Sequence, residues 1–234
     1  MTIPSMNAGW YPAPDGSGQS WWWDGAQWMP PRLEVSPIPP AGPATLRLAI
    51  VVQVLLFASA ALALATVAVE AFGIASVDDY LGGNYGAAAM IETYDTFSVV
   101  VAIFSLIVLV GTGILWMIWQ YRLAKQVLGR TRRTPGWHTG SWFIPVVNWW
   151  FPYQNVSDLW RAAGRTRPGW QAAWWGLWIA SSVTGGISGQ MSFRAQSLEE
   201  YLGAMTASLV SSLLLVAAAL FAVRLVRQLT RAYA

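Results

Sequence analysis

The chain contains no cysteine and a single histidine. The first absence excludes a disulfide framework, a thiolate nucleophile and any Cys-based metal or iron–sulfur site. The second excludes a multi-histidine metal site. Charge is scarce as well. Asp, Glu, Lys and Arg make up 11 % of 234 residues, where a soluble domain carries about a quarter. The shortage is local. Windows 48–69, 96–121, 168–193 and 201–223 hold no charged residue at all, and each exceeds the roughly 18–20 residues that cross a bilayer. A soluble enzyme is not the expectation; a multi-pass membrane protein is.

What charge there is predicts orientation. No basic segment followed by an apolar core opens the chain, so no signal peptide is expected and the first window reads as an uncleaved span. Arg32 and Arg47 precede it, and eight bases from Arg122 to Arg167 lie between the second and third windows against Asp158 alone. The segment after the first window is acidic. One face collects 13 bases and 4 acids and the other 1 base and 7 acids, so a net +3 divides into +9 and −6. The positive-inside rule then puts both termini and the central loop in the cytoplasm of a cell-membrane protein. Trp116 and Trp119, and Trp170, Trp174 and Trp178 at helical spacing, load the cytoplasmic interface with indole, read here as packing and anchoring.

The expected architecture is an all-α membrane protein with four transmembrane helices, at about 48–69, 97–120, 169–190 and 204–226 within a domain 47–234. Outer segments 70–96 and 191–203 and a cytoplasmic loop 121–168 connect them. A small cytoplasmic module, 1–31, and a Pro-rich linker, 32–46, precede them.

Residues 9–31 alternate short aromatic runs with turn formers at Asp15-Gly16-Ser17-Gly18 and Asp24-Gly25, the pattern of a tiny sheet. Trp10, Tyr11, Pro12, Pro14, Gly16, Trp23, Asp24, Gly25 and Trp28 resemble the Trp-rich module of many actinobacterial membrane proteins, catalogued as domain of unknown function 2510. Ala13 and Trp22 depart from it, where Asp and Tyr are usual. So small a unit must rely on stacked indoles for its core. Trp10, Trp23 and Trp28 are candidate contacts to a partner or to the membrane surface, the alternative being packing on the chain's own central loop.

The central loop carries Pro135-Gly-Trp-His and, from Trp142 to Phe151, an apolar run too short to span and interrupted by Pro145 and Asn148. It is expected to lie in the interface or dip into it. Beyond Pro152, a short amphipathic helix should place Tyr153, Val156 and Trp160 on one side and Gln154, Asp158, Arg161 and Arg165 on the other, stopping at Gly164. Pro135, Gly136, Trp137, Trp142, Phe143, Ile144, Pro145, Asn148, Pro152, Tyr153, Asp158, Leu159 and Trp160 resemble, in order and spacing, an actinobacterial four-span family, domain of unknown function 4328. The resemblance covers roughly 45–230 and implies architecture without a mechanism.

Candidate contacts to a partner or to anionic lipid in this loop are Arg130, Arg132, Arg133, Trp142, Pro145, Asn148, Pro152, Tyr153, Trp160, Arg161 and Arg165. Asn148 should tie down backbone groups of an apolar turn, and His138 should be solvated or capping. Ser76–Gly82 parallels Ser197–Gly203, and Arg122–Val127 parallels Arg224–Leu229, which suggests a duplicated hairpin.

The windows lack ionisable groups, which argues against transport, while Ala204, Ser208 and Ser212 suit close helix packing. No nucleophile–base pair, metal cluster or phosphate loop is present, so no enzymatic activity, cofactor or metal is expected. The expected function is a non-enzymatic scaffold or accessory subunit, with membrane lipid and a protein partner or larger membrane complex as its contacts. Nucleic acid is not implied, and oligomerisation is compatible with this reading. The alternative is a small transporter or pore of oligomerised hairpins, and a third is a lipid-binding regulator.

Overall fold

A computed structural model describes residues 6–30 and 38–234; Arg32, Glu34 and the rest of linker residues 31–37 lie outside the described residues. The chain forms two compact units, Met1–Pro37 and Ile38–Ala234.

The first unit is the expected small sheet. Strands β1 (Gly9–Pro12), β2 (Ser20–Trp23) and β3 (Trp28–Met29) pair antiparallel in the order β1-β2-β3. Gly16, Gly18 and Gly25 take positive φ in the two turns, where only glycine is at ease. Asp15 and Asp24 carboxylates accept backbone N–H groups of Ser17 and of Ala26 and Gln27. Hydrogen bonds from the Ser17 side chain and backbone to Asp15, and from the Gln27 and Ala26 backbone to Asp24, hold both carboxyls below their ordinary value.

The second unit is helical: α1 Pro43–Leu81, α2 Ala88–Gln126, α3 Pro135–Gly140, α4 Phe151–Ala162, α5 Trp170–Arg194 and α6 Leu198–Arg231. Prolines sit in the first turn of α1, α3 and α4, where a missing N–H does no harm. Ser197 caps α6 by accepting the Glu200 N–H at 3.2 Å, and Glu200 reaches back to Gln196 N at 2.8 Å. After α4, Gly164 has φ 69° and bonds back to Arg161, while Arg165 bonds back to Trp160. That pairing is a Schellman stop at the expected position.

Three helices, α1, α2 with the turn from Tyr85, and α6, are long and apolar enough to cross a bilayer. At 25 residues α5 is shorter than these but still long enough to cross a bilayer, and its Trp, Gly, Ser and Gln dilute its apolar character. Segment 70–96 is largely helical, because α1 runs on to Leu81 and α2 begins at Ala88.

Neighbouring helices are antiparallel. Ser59 faces Thr112 at 3.4 Å and Tyr94 faces Glu70 between α1 and α2, while Ser181 bonds Ser211 O and Ser188 bonds Ala204 O between α5 and α6. α1 packs on both α2 and α6, and α6 on α5, so the helices lie in the order α2-α1-α6-α5. One end carries the α1–α2 and α5–α6 turns, the hairpin end. The other carries α3, α4 and the ends of α2 and α6, the loop end.

The proposed duplication fails at its outer match. Ser76–Leu81 closes α1, the first helix of its hairpin, whereas Leu198–Gly203 opens α6, the second helix of the other. Equivalent repeats would put both at the same point of the hairpin. The acidic character of the hairpin end is enough to produce the likeness.

Candidate functional site

Within the module, alternation along the strands separates two faces. Trp10 pairs with Trp22, which pairs with Met29, and these three share one face. Trp10 is 60 % exposed and lies edge-on to Trp22 at 5.6 Å. The opposite face is better packed. Trp23 and Trp28 are 5.1 Å apart, Tyr11 meets Trp28 edge-on, and the Trp23 indole donates to Met6 O. Of the three candidate module residues, Trp10 is therefore presented outward, while Trp23 and Trp28 build the small core.

At the loop end the expected contact residues divide between a buried knot and an exposed rim. α3 and α4 tuck against α2, and residues of α4 join α1, α2, α5 and α6 in one core that includes Trp119, Leu123, Val156, Leu159, Leu225 and Leu229. Pro152 and Trp160 are buried, so they serve packing rather than contact. Asp158 was expected on the polar side of α4 but is 1 % exposed, with its carboxylate accepting from Arg132 Nε at 2.8 and 3.0 Å and from Arg161 at 3.3 Å. Arg133 lies over the Phe151 ring and donates to Gln154 at 2.7 Å and Asn155 at 3.3 Å. Burial, with Arg132 beside it, lowers its pKa from the ordinary value. Tyr153 is half-buried, and its carbonyl accepts from Gln171. Arg161 and Arg165 remain exposed, and Arg130 is half-buried.

Two polar residues behave differently from expectation. His138 is fully buried rather than solvated, and burial lowers its pKa from 6.5 to about 4. Neither ring nitrogen has a partner among the described residues. The anchoring role anticipated for Asn148 belongs to Asn155, whose amide donates to Trp137 O at 2.9 Å and Ser141 Oγ at 3.1 Å. Asn148 keeps its side-chain oxygen unpartnered among the described residues. The run around it is exposed: Phe143 is 72 % accessible, and Val146, Trp149 and Trp150 are open too. Val146 has φ 69° and ψ −56°, and the Val147 N–H returns to Pro145 O at 2.8 Å. This is the rare, strained form of γ-turn, and it pushes an apolar ridge outward.

The feature that sequence reasoning missed lies in the middle of the bundle. Packing is concentrated at the ends, in the loop-end core and in a smaller hairpin-end core of Val77, Tyr94 and Met205. Between them a cavity of about 750 Å³ is lined by all four long helices and by Trp142 and Phe143 of the loop. α2 and α5 do not pack along their length; they meet at the loop end, where Trp116 and Trp174 are 5.7 Å apart. Trp142 closes this end, edge-on to Trp116 and Trp178, its indole donating to Gln120 at 3.2 Å. Only 6 % of the most apolar window of α2 is buried, against 28 % for α1 and α6. The cavity is thus a cleft, mostly apolar, between α2 and α5.

Its one carboxylate is Glu70, 8 % exposed, which accepts the Tyr94 hydroxyl at 3.1 Å. About one turn further along α1, Gly73 has no side chain; a Cβ there would overlap the Tyr94 ring and the Met205 methyl. Glu70 stands one residue beyond the first charge-free window, so the windows do not single it out from the other acids of its face. A signal was present. Ala49, Leu56, Ala63, Glu70 and Val77 recur every seven residues and form one buried stripe of α1.

Residues 84–231 match the family model described as Domain of unknown function (DUF4328). The match begins beyond the expected start near residue 45, so it leaves α1 outside. No curated protein and no solved structure matches the chain.

Proposed function

The chain belongs to the DUF4328 family, and from that premise we propose a non-enzymatic, multi-pass membrane protein that binds an amphiphile in the cleft between α2 and α5. The observation that carries this reading is a bundle packed at both ends and open in its middle. Its volume of about 750 Å³ lies within the roughly 300–1,000 Å³ of small-molecule sites. From Leu56 to Glu70 the lining follows roughly 20 Å of α1 at 1.5 Å per residue, a length suited to an alkyl chain. A lateral opening lets such a ligand enter from the bilayer without crossing an aqueous mouth. A pore would call for a continuous polar path, whereas here hydroxyls such as those of Ser59 and Thr112 are scattered through a mainly apolar wall and Trp142 closes the loop end.

On this reading α5 is the fourth span, antiparallel to α6, and both termini and the loop end face the cytoplasm of an actinobacterial cell. The exposed ridge Phe143–Trp150 enters the inner interface, with Arg161, Arg165 and their neighbours toward anionic headgroups. The N-terminal sheet is read as a domain of unknown function 2510 module. Its open Trp10–Met29 face favours a second role as a docking surface for a protein partner, in keeping with a scaffold or accessory subunit.

Photolabelling tests the cleft. A photoactivatable alkyl probe in reconstituted membranes should label cleft residues such as Leu109 and Leu215, and Ser105→Trp, which fills the cleft, should abolish that labelling. Labelling confined to outward residues such as Phe104 and Ile107, and unchanged in the variant, would remove the reading.

A further inference from the structure

We infer that the amphiphile held in the cleft carries a protonated amine head, bound at Glu70. This deepens the cleft reading and rests on it, but it draws on separate observations.

The first is charge. Among the residues lining the cleft Glu70 is the sole acid, and no Lys, Arg or His lines it. A buried carboxylate without a cation is costly, and a desolvated carboxylate–ammonium contact relieves that cost. Tyr94 and Ser208 hydrogen-bond to it, while an ionised carboxylate offers about four acceptor sites. A donor head therefore has sites left to occupy.

The second is the surround. Tyr94 and Tyr201 both line the Glu70 end of the cleft, and aromatic faces attract ammonium groups. The absent side chain at Gly73 lets the Tyr94 ring lie against α1, which brings its hydroxyl to the carboxylate. The hairpin end nearby carries Asp78, Asp79, Glu92, Asp95, Glu199 and Glu200 against Arg194 alone. That field draws cations toward the site and repels carboxylate and phosphate heads.

The third is polarity along the cleft. Its carboxylate end passes into Ala63, Leu109 and Leu215 and stops at Trp116 and Trp142. Head and tail of one long-chain amine therefore meet suitable chemistry in one direction, with the amine toward the hairpin end.

Equilibrium binding of radiolabelled hexadecylamine, hexadecanol and hexadecanoate tests this. The full chain is placed in nanodiscs of zwitterionic lipid, and uptake by empty discs is subtracted. The amine should bind about tenfold or more tightly than the alcohol, as a desolvated ion pair allows, with the acid weakest. Glu70→Gln should bring amine and alcohol to the same affinity. Tyr94→Phe, which keeps the carboxylate, should retain most of the preference. Equal binding of amine and alcohol by the wild-type protein would overturn the amine head while leaving the cleft in place, and this holds whether or not Glu70→Gln folds. Amine preference persisting in a folded Glu70→Gln would overturn it as well. Binding of none of the three would overturn the cleft reading and the amine head with it.

Discussion

The indole N–H of Trp119, near the end of α2, donates to the hydroxyl of Thr230, near the end of α6, at 3.0 Å across 111 residues of sequence. Both side chains are buried in the loop-end core. This bond ties the end of the first hairpin to the end of the second. Thr230→Val keeps the shape and strands a buried donor, so it should destabilise the protein by about 1–2 kcal/mol. Thermal unfolding in mild detergent measures it, and an unchanged midpoint would show the bond to be idle.

Arg132 and Asp158 should behave unequally. Asp158 is buried while Arg132 is about half exposed. Arg132→Ala leaves a buried carboxylate with only the longer Arg161 contact and should cost about 2 kcal/mol, short of the 3–5 kcal/mol of a fully buried pair. Adding Asp158→Ala to Arg132→Ala should restore part of that loss. A double-mutant cycle with simple additivity would contradict the pairing.

His138 makes stability depend on pH. Its pKa is 6.5 ordinarily and about 4 when folded, so protonation favours the unfolded chain. The protein is therefore at full stability above pH 6.5 and loses it as the pH falls toward 4. The loss is about 3 kcal/mol at most, at 1.4 kcal/mol per unit. Neighbouring Asp158 opposes the depression and Arg133 adds to it. His138→Phe should flatten this part of the profile and remove two unpartnered ring nitrogens. The same slope in the variant would mean that other groups carry it.

Topology can be tested cleanly because the chain has no cysteine. Single cysteines at Ala89 and Gln196 should react with an impermeant thiol reagent from outside, and those at Ser17 and Ala234 only after permeabilisation. If α5 does not cross, Gln196→Cys becomes internal and Ala234→Cys external.

Much of this structure was legible as composition and spacing. Charge-free windows foretold the apolar helices, the paired turn formers of residues 9–31 foretold the sheet, and Gly164 foretold the stop after α4. The loop was legible as a motif but misleading as a surface. Trp160, Asp158 and His138 are local in sequence and gain their burial from α2 and α6, far away along the chain. Hydrogen-bond duties were harder still: Asn148 and Asn155 are alike in type, and only the fold brings Trp137 and Ser141 to the second. The cleft was invisible for a related reason. It is made by the absence of contact between α2 and α5, and a sequence encodes which faces are apolar without stating which of them stay apart. Glu70 lay within reach, on the seven-residue stripe of α1.

The central claim is that this open middle holds an amphiphile, and native mass spectrometry of the protein released from nanodiscs tests it most directly. The wild-type chain should retain a bound amphiphile of defined mass, and Ser105→Trp, with its side chain filling the cleft, should lose it while remaining folded. A wild-type chain that emerges bare, or a variant that keeps the same adduct, would contradict the account.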